Sequence, residues 1–301
     1  SMLVGLPFSI YDTFVIEERF GFNKTTPATF LGDLIKSLIL GGVIGGILLL
    51  LVVWFFHWAG TFFWLYAWGV MALFMLFFSK FYTTLILPLF NKLQPLDEGP
   101  LRSAIEAMSR KADFSLNNVY VMDGSKRSTK ANAFFSGFGK NKRIVLYDTL
   151  IKELSTDEIV AVLAHEIGHY RLKHIIRGSV LGVLQAGITL FLLGWFVNHP
   201  AISQALGVAM PSFHIGLLGF GLLYTPISAV LGLGMTILSR RQEFQADAFA
   251  ARYAEASALQ SALKKLSASS LSNPTPHPWF VFFNYSHPPL LKRLEALDKA
   301  S

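Results

Sequence analysis

The chain has 301 residues, 52% of them hydrophobic and 15% charged, with a mean hydropathy of +0.47 and a net charge of +7. A soluble domain is about 25% charged, so this chain carries more apolar residues than one soluble core buries, and lipid is the second solvent. It has no cysteine, which excludes disulfides and thiolate ligands and leaves any metal to His, Asp and Glu; the basic surplus reads as a positive-inside bias and not as nucleic-acid binding.

In chain order, Ser1-Met2 offers no basic n-region, so the start does not read as a signal peptide. Residues 1–33 form an N-terminal cytoplasmic segment. Four apolar stretches then meet the length of roughly 20 residues that spans a bilayer core: 34–56, 61–90 (with Lys80 as its one charge), 175–197 and 213–238. They pair into hairpins over 34–90 and 175–238. Trp54, Trp58, Trp64 and Trp68 cluster around the first turnaround as an interfacial aromatic belt. The glycine pairs Gly41-Gly42 and Gly45-Gly46 suit close helix packing. The two turnarounds, 57–60 and 198–212, contain no Lys or Arg. The opposite side carries Arg19, Lys24, Lys36, Lys92, Arg102, Lys126, Arg127, Lys140, Lys142, Arg143, Arg171, Lys173, Arg240, Arg241, Lys292 and Arg293. That side is therefore cytoplasmic.

Residues 91–155 read as a small α+β unit. A helix is expected at 101–111 and short strands at 118–122 and 143–147, rich in Val, Ile and Tyr. Between the strands, 131–139 is aromatic and Gly-punctuated, a strand and turn. Ser155 followed by Glu158 is a capping box. The helix it opens has no break before Ile167 and is expected to run on into the third span. A helix over 240–253 follows the fourth span. The tail 273–289 is Pro-rich and irregular, and 290–297 forms a short amphipathic helix.

The chemistry concentrates in His165-Glu-Ile-Gly-His169. Two His four apart share one helix face and can grip one metal ion, while Glu166 can reach a metal-bound water as general base. A catalytic zinc needs a third protein ligand and an open position. Glu243 lies beyond the fourth span, and two crossings separate it from His169, so it returns to the same side of the membrane. Asp247, one turn on, suits an acceptor for the other ring nitrogen of a ligating His. His174 is five residues past His169, off the ligand face, and His57, His199, His214 and His277 read as interfacial or loop residues.

The strings FVIEERFGFNKTT, NAFFSGF, HEIGHYRLKH, EFQADAFA and SHPPLLKRL follow one another across nearly the whole chain, which in these five motifs and their order resembles the integral-membrane CAAX prenyl protease family of zinc endopeptidases and, more distantly, the HtpX-like membrane proteases. The resemblance implies one Zn2+ per chain held by His165, His169 and Glu243, Glu166 as general base, and Asp247 behind the ligands. Members of that family carry further membrane helices upstream, around a large intramembrane chamber capped by the protease domain. The fold class is then a mainly α, multi-pass membrane protein: four transmembrane helices plus a cytoplasmic α+β, gluzincin-type zinc protease domain with a small β-sheet. Its halves are 91–174, with HExxH, and 239–301, with the third ligand.

The resemblance also implies that Asn132 and Ala133, on an edge strand near the zinc, touch the substrate backbone by β-augmentation. His287, stiffened by Pro288-Pro289, can hydrogen-bond the oxyanion. Arg293 either binds a substrate carboxylate or clamps a site acid. The expected reaction is removal of the C-terminal tripeptide from an isoprenylated CAAX peptide or protein. Membrane lipid is a second partner, nucleic acid is not one, and the oligomeric state is not legible. The membrane is a bacterial inner membrane, or the endoplasmic reticulum in a eukaryote. Three rival readings remain: an HtpX-like quality-control protease, a site-2-type intramembrane protease, and a scaffold or channel with structural zinc. The charges flanking the motif, Asp157, Glu158, Arg171 and Lys173, oppose the site-2 reading.

Overall fold

The computed structural model describes residues 2–114, 119–136, 143–210 and 212–300. Asn118, Lys140, Lys142 and residues 137–139 of the aromatic turn fall outside them. The chain opens with α1 (Met2–Tyr11) and a π-helical turn over Asp12–Glu17. The first long helix, α2 (Pro27–Ala59), starts earlier than its apolar run because Thr26 caps it. The Thr26 hydroxyl accepts from the Thr29 N–H, and Pro27 takes a first-turn position that needs no donor. A turn at Gly60, with φ of 54°, reverses the chain into α3 (Phe63–Leu85). The short α4 (Leu87–Phe90) ends this apolar run.

A mixed four-stranded sheet and its helices follow. β1 (Leu93–Pro95), α5 (Pro100–Lys111), β2 (Val119–Met122), β3 (Ala133–Ser136) and β4 (Arg143–Tyr147) come in that order. The sheet order is β1-β2-β4-β3, with β2 and β4 parallel and both outer pairs antiparallel. β3 is therefore an edge strand. β1 was not anticipated: three residues containing Gln94 and Pro95 carry no strand pattern of their own.

After α6 (Asp148–Glu153) comes α7 (Thr156–Arg171), opened by the Ser155/Glu158 capping box as expected. α7 does not continue into the third span. Lys173 adopts a left-handed conformation, φ 60°, and a new helix, α8 (His174–Asn198), starts at once. α9 (Pro200–Ala205) leads to α10 (Phe213–Tyr253), 41 residues long, in which the fourth span and the expected 240–253 helix are one continuous rod. α11 (Ala256–Ser269), α12 (Pro278–Asn284) and α13 (Leu290–Asp298) complete the chain. α12 corrects the irregular tail: Pro278 sits in its first turn, where proline starts a helix as readily as it ends one.

Three apolar helical stretches are long enough to cross a membrane, 27–90, His174–Asn198 and Phe213–Tyr253. The first comprises α2 and α3 packed on each other, so four long helices cross and the chain is an integral membrane protein. α3 packs on α8 and α8 on α10. The four tryptophans expected as an aromatic belt divide into two pairs. Trp54 and Trp58 are exposed and stacked, centroids 5.8 Å apart. Trp64 and Trp68 turn inward, and the Trp68 indole donates to the Val183 carbonyl at 2.7 Å. An added Cβ at Gly187 would meet the Trp68 ring at 2.9 Å. Close packing thus falls on Gly187, and on Gly216 and Gly219 of the fourth span, and not on the pairs at 41–42 and 45–46, where an added Cβ has nothing within 4 Å.

The sheet-bearing unit is tied to the span bases by charge. Arg127 grips Asp33 with two bonds, 2.7 and 2.9 Å, and donates to the Phe90 carbonyl at 2.7 Å. Lys130 pairs with Glu17, and a bridge joins Asn23 to Ser128. The FVIEERFGFNKTT string thereby fastens the N-terminal segment to the sheet. The main core surrounds α7, with Ile159, Leu163 and Ile167 fully buried among residues of the sheet, α5, α10, α11 and α13.

The buried Glu158 locks α7 to α11. Its carboxylate accepts from Ser155 N at 2.7 Å, Ser261 Oγ at 2.7 Å and Lys265 Nζ at 2.8 Å. Burial pushes its pKa up, but these donors outweigh burial and bring it down to about 2. The carboxyl is more acidic folded than unfolded, so its contribution is present above about pH 4.5 and fades as pH falls towards about 2. Glu158→Gln is expected to cost about 2–3 kcal/mol at pH 7. Melting curves of both proteins in detergent, followed by circular dichroism, should converge across that acid window.

Candidate metal centre

α7 carries His165, Glu166 and His169, and α10 carries Glu243 and Asp247. The two helices cross closely because Gly168 has no side chain. A Cβ there would stand 3.1 Å from Phe249 Cβ and 3.2 Å from Ala246 Cα. Ala164, Ala246 and Ala250 fill the rest of the contact and are buried. The crossing brings Glu243, expected to return to this side, directly against the His pair.

His165 Nε2 and His169 Nε2 are 3.1 Å apart. Glu243 Oε2 lies 3.6 Å from His165 Nε2, and Oε1 lies 3.3 Å from His169 Nε2. These three residues form a group whose donor atoms all fall within 4.8 Å of one another. Nitrogen and oxygen ligands at 2.0–2.1 Å on a tetrahedral ion stand about 3.3 Å apart. The spacing fits one small cation with a position left over.

The ring nitrogens turned away from this point are also engaged. Asp247 Oδ1 lies 2.8 Å from His165 Nδ1. His174, at the start of α8, places Nδ1 3.1 Å from His169 Nδ1, and its Nε2 is 3.0 Å from Gln245 Oε1. The sequence reading had His174 on the same helix as His169 and off its ligand face. The left-handed Lys173 breaks that phase and swings His174 back, where it is buried. His174 and Gln245 are the residues that sequence reasoning missed; no Gly, Pro or Asn marks the break.

Arg293 on α13 grips Asp247 with Nε at 2.8 Å and Nη2 at 2.6 Å, and its Nη1 is 3.5 Å from Glu243. Of the two roles weighed for it, the geometry supports the clamp on a site acid. Burial pushes the Asp247 and Glu243 carboxyls up, but Arg293 and His165 on the first, and His169, His165, His287 and Arg293 on the second, bring both down to about 2. Both are anions at neutral pH. Glu166 goes the other way: desolvation raises its pKa, with the neighbouring Glu243 charge adding to the rise. Burial lowers the His169 pKa, but the Glu243 bond outweighs it and the net direction is up.

A 160 Å³ cleft opens onto these groups, lined by Asn132, Ala133, His165, Glu166, Glu243, His287 and Arg293 with apolar residues of α6, α7 and α11. β3 contributes Ala133 to it and, among the described residues, pairs with β4 on one edge only. Asn132 Oδ1 accepts from Ala133 N at 2.9 Å, and the Asn132 carbonyl accepts from Tyr147 N at 3.0 Å. His287 stands at the mouth. It is largely exposed, with Nε2 3.5 Å from Glu243 Oε1 and Nδ1 3.0 Å from Ser286 Oγ. All nine residues singled out in the sequence therefore border the cleft or stand directly behind it.

Comparison with known proteins agrees with this architecture. Residues 95–301 match the family model of peptidase family M48, and residues 1–92 match that of the CAAX prenyl protease N-terminal region with five membrane helices. The CAAX prenyl protease 1 homolog of Arabidopsis thaliana is 41% identical over 304 residues, covering 99% of this chain and 70% of that protein. The Homo sapiens homolog is 37% identical over 336 residues, covering 99% and 71%. The crystal structure of S. mikatae Ste24p superposes with a TM-score of 0.92 at 37% identity, over 98% of this chain and 72% of that one. With a membrane-crossing frame, a His-His-Glu cluster and similarity across nearly the whole of this chain, the chain belongs to the M48 metallopeptidases, in their CAAX prenyl protease group.

Proposed function

We propose that this metallopeptidase is a zinc endopeptidase that removes the C-terminal tripeptide of isoprenylated CAAX proteins at the cytoplasmic face of its membrane. The observation that carries the reading is the donor set: two imidazole nitrogens and one ionised carboxylate at tetrahedral spacing, with no fourth protein donor in the cluster among the described residues. A structural zinc fills all four positions with protein ligands. His287 is the remaining candidate, and its exposure and its place outside the cluster favour the open, catalytic arrangement.

His165, His169 and Glu243 would hold the zinc, which supplies Lewis acidity to the reaction. Glu166, raised in pKa by burial, takes the proton of the attacking water and hands it to the leaving amine. The free edge of β3, at Asn132 and Ala133, accepts the substrate main chain as an added strand. His287 at the mouth donates to the carbonyl oxygen as it gains charge. Asp247, itself held by Arg293, accepts from His165 Nδ1–H and so keeps the Nε2 lone pair free. The substrate class rests on the names of the relatives; the basic flank of the spans supports the cytoplasmic orientation. A quality-control protease would share the same centre and differ in what enters the cleft.

Matched prenylated and unprenylated peptides test the reading in reconstituted protein. Glu166→Gln should keep its zinc and lose at least about a hundredfold in cleavage rate. Glu243→Ala should lose zinc in metal analysis after dialysis. Zinc retained by Glu243→Ala would exclude it as the third ligand, and equal cleavage of both peptides would remove the prenyl assignment while keeping the protease.

The helix crossing makes a separate prediction. Gly168→Val should force α7 and α10 apart at the contacts with Ala246 and Phe249. Zinc affinity is expected to fall at least about tenfold, with the helical circular dichroism signal retained.

A further inference from the structure

We propose that His174 and Gln245 are positioning residues for His169, forming a two-step hydrogen-bond relay that fixes its tautomer and aims its Nε2 lone pair at the metal. The inference rests on the reading of His169 as a zinc ligand and adds to it a support that comes from the third membrane span.

The relay has a polarity that the chemistry dictates. A neutral imidazole offers one donor and one acceptor. Gln245 Oε1, 3.0 Å from His174 Nε2, can only accept, so His174 carries its hydrogen on Nε2. His174 Nδ1 is then an acceptor, and at 3.1 Å it takes the Nδ1–H of His169. That leaves His169 Nε2 without a hydrogen, 3.1 Å from His165 Nε2 and 3.3 Å from Glu243 Oε1. Turning the Gln245 amide over would reverse every bond. Its NH2 would donate to His174 Nε2, His174 would donate to His169, and a hydrogen would sit on His169 Nε2 amid the ligand atoms. Only the first polarity is compatible with ligation.

The two ligating histidines are thus supported differently. His165 is backed by the Asp247 carboxylate, which is fixed as an acceptor by its charge and by Arg293. His169 is backed by a neutral chain whose direction depends on the orientation of one amide. The anchors also lie on different elements. His174 is the first residue of α8, and Gln245 sits on α10 two residues after Glu243. His169 is therefore held between the base of the third span and the helix that supplies the carboxylate ligand.

Gln245 gives a clean handle, because it is exposed and its replacement leaves no internal cavity. It faces a 270 Å³ surface pocket shared with Leu172, Arg177, Ala248, Phe249 and Arg252. Zinc affinity of the full chain in detergent, measured by competition with a chelator, distinguishes an acceptor at 245 from mere bulk. Gln245→Met, which has similar length and no strong acceptor, should weaken zinc binding about 10–100-fold. Gln245→Glu, which restores an obligate acceptor, should bind within about threefold of the parent or more tightly. His174→Ala should match Gln245→Met. If His174→Ala does not fold, the two Gln245 variants decide alone.

The relay is overturned if Gln245→Met binds zinc like the parent, or if Gln245→Glu is as weak as Gln245→Met. Glu243→Ala in the same assay separates this failure from failure of the underlying reading. Loss of zinc there with a parent-like Gln245→Met sinks only the relay; zinc retained by Glu243→Ala sinks the ligand set itself.

Discussion

The site depends on one close helix crossing. α7 and α10 meet where Gly168 faces the Ala246 backbone, and small residues on both sides, Ala164, Ala246 and Ala250, keep the axes near. The donor atoms sit on this crossing, so their mutual distances of 3.1–3.6 Å are set by backbone approach and not by flexible side chains. A metal site needs ligand placement to within a few tenths of an ångström. The long α10 carries the crossing at one end, and its other half packs against α8. The protease unit inherits its alignment from the spans.

The second requirement is to hold three carboxyls in one partly dry region. Charges removed from water are costly unless each is matched. Glu243 and Asp247 are matched by Arg293 and by the imidazoles, and both remain ionised. Arg293 spends its fork on Asp247, where planar two-point bonding is strongest, and only leans towards Glu243 at 3.5 Å. Glu166 feels the same imidazoles and Arg293, but desolvation outweighs them and it is the carboxyl whose proton affinity rises. Two acids are thus held as anions while the third has its proton affinity raised, as the general-base role proposed for Glu166 requires. That separation of neighbouring carboxyls by environment is a general mark of an acid–base site.

Much of this was legible beforehand. His165 and His169 announce themselves by helical spacing, and the capping box at Ser155 and Glu158 fixes the phase of their helix. Counting membrane crossings brought Glu243 to the correct side, and Asp247 follows from it by one turn. What escaped were features encoded in backbone events without a sequence mark. Lys173 takes a left-handed conformation that lysine does not advertise, and that single residue decides whether His174 points away from His169 or touches it. Trp68 reads as a belt residue by its position, yet its indole finds a helix carbonyl at Val183 and packs over Gly187. The role of Gly168 was likewise hidden, because a glycine in a motif shows its permissiveness but not which neighbour needs the room.

The dimensions of the cleft constrain how a lipidated peptide is read. Pockets for drug-sized ligands run roughly 300–1,000 Å³, whereas the cleft between β3, α7 and His287 measures 160 Å³. That volume suits an extended main chain with small side groups better than a bulky apolar chain beside it. Strand addition of the kind proposed at Asn132 and Ala133 is indifferent to side chains, so on that reading the edge strand supplies register without choosing a sequence. On the proposed reading, selection for a prenyl group must then come from apolar surface beyond the cleft, and the spans offer it in continuous exposed stretches such as Val180, Leu184, Ile188 and Phe191 along α8. On that reading chemistry and substrate choice are divided: the crossing at Gly168 places the donor atoms, and the membrane-facing helices supply the apolar surface.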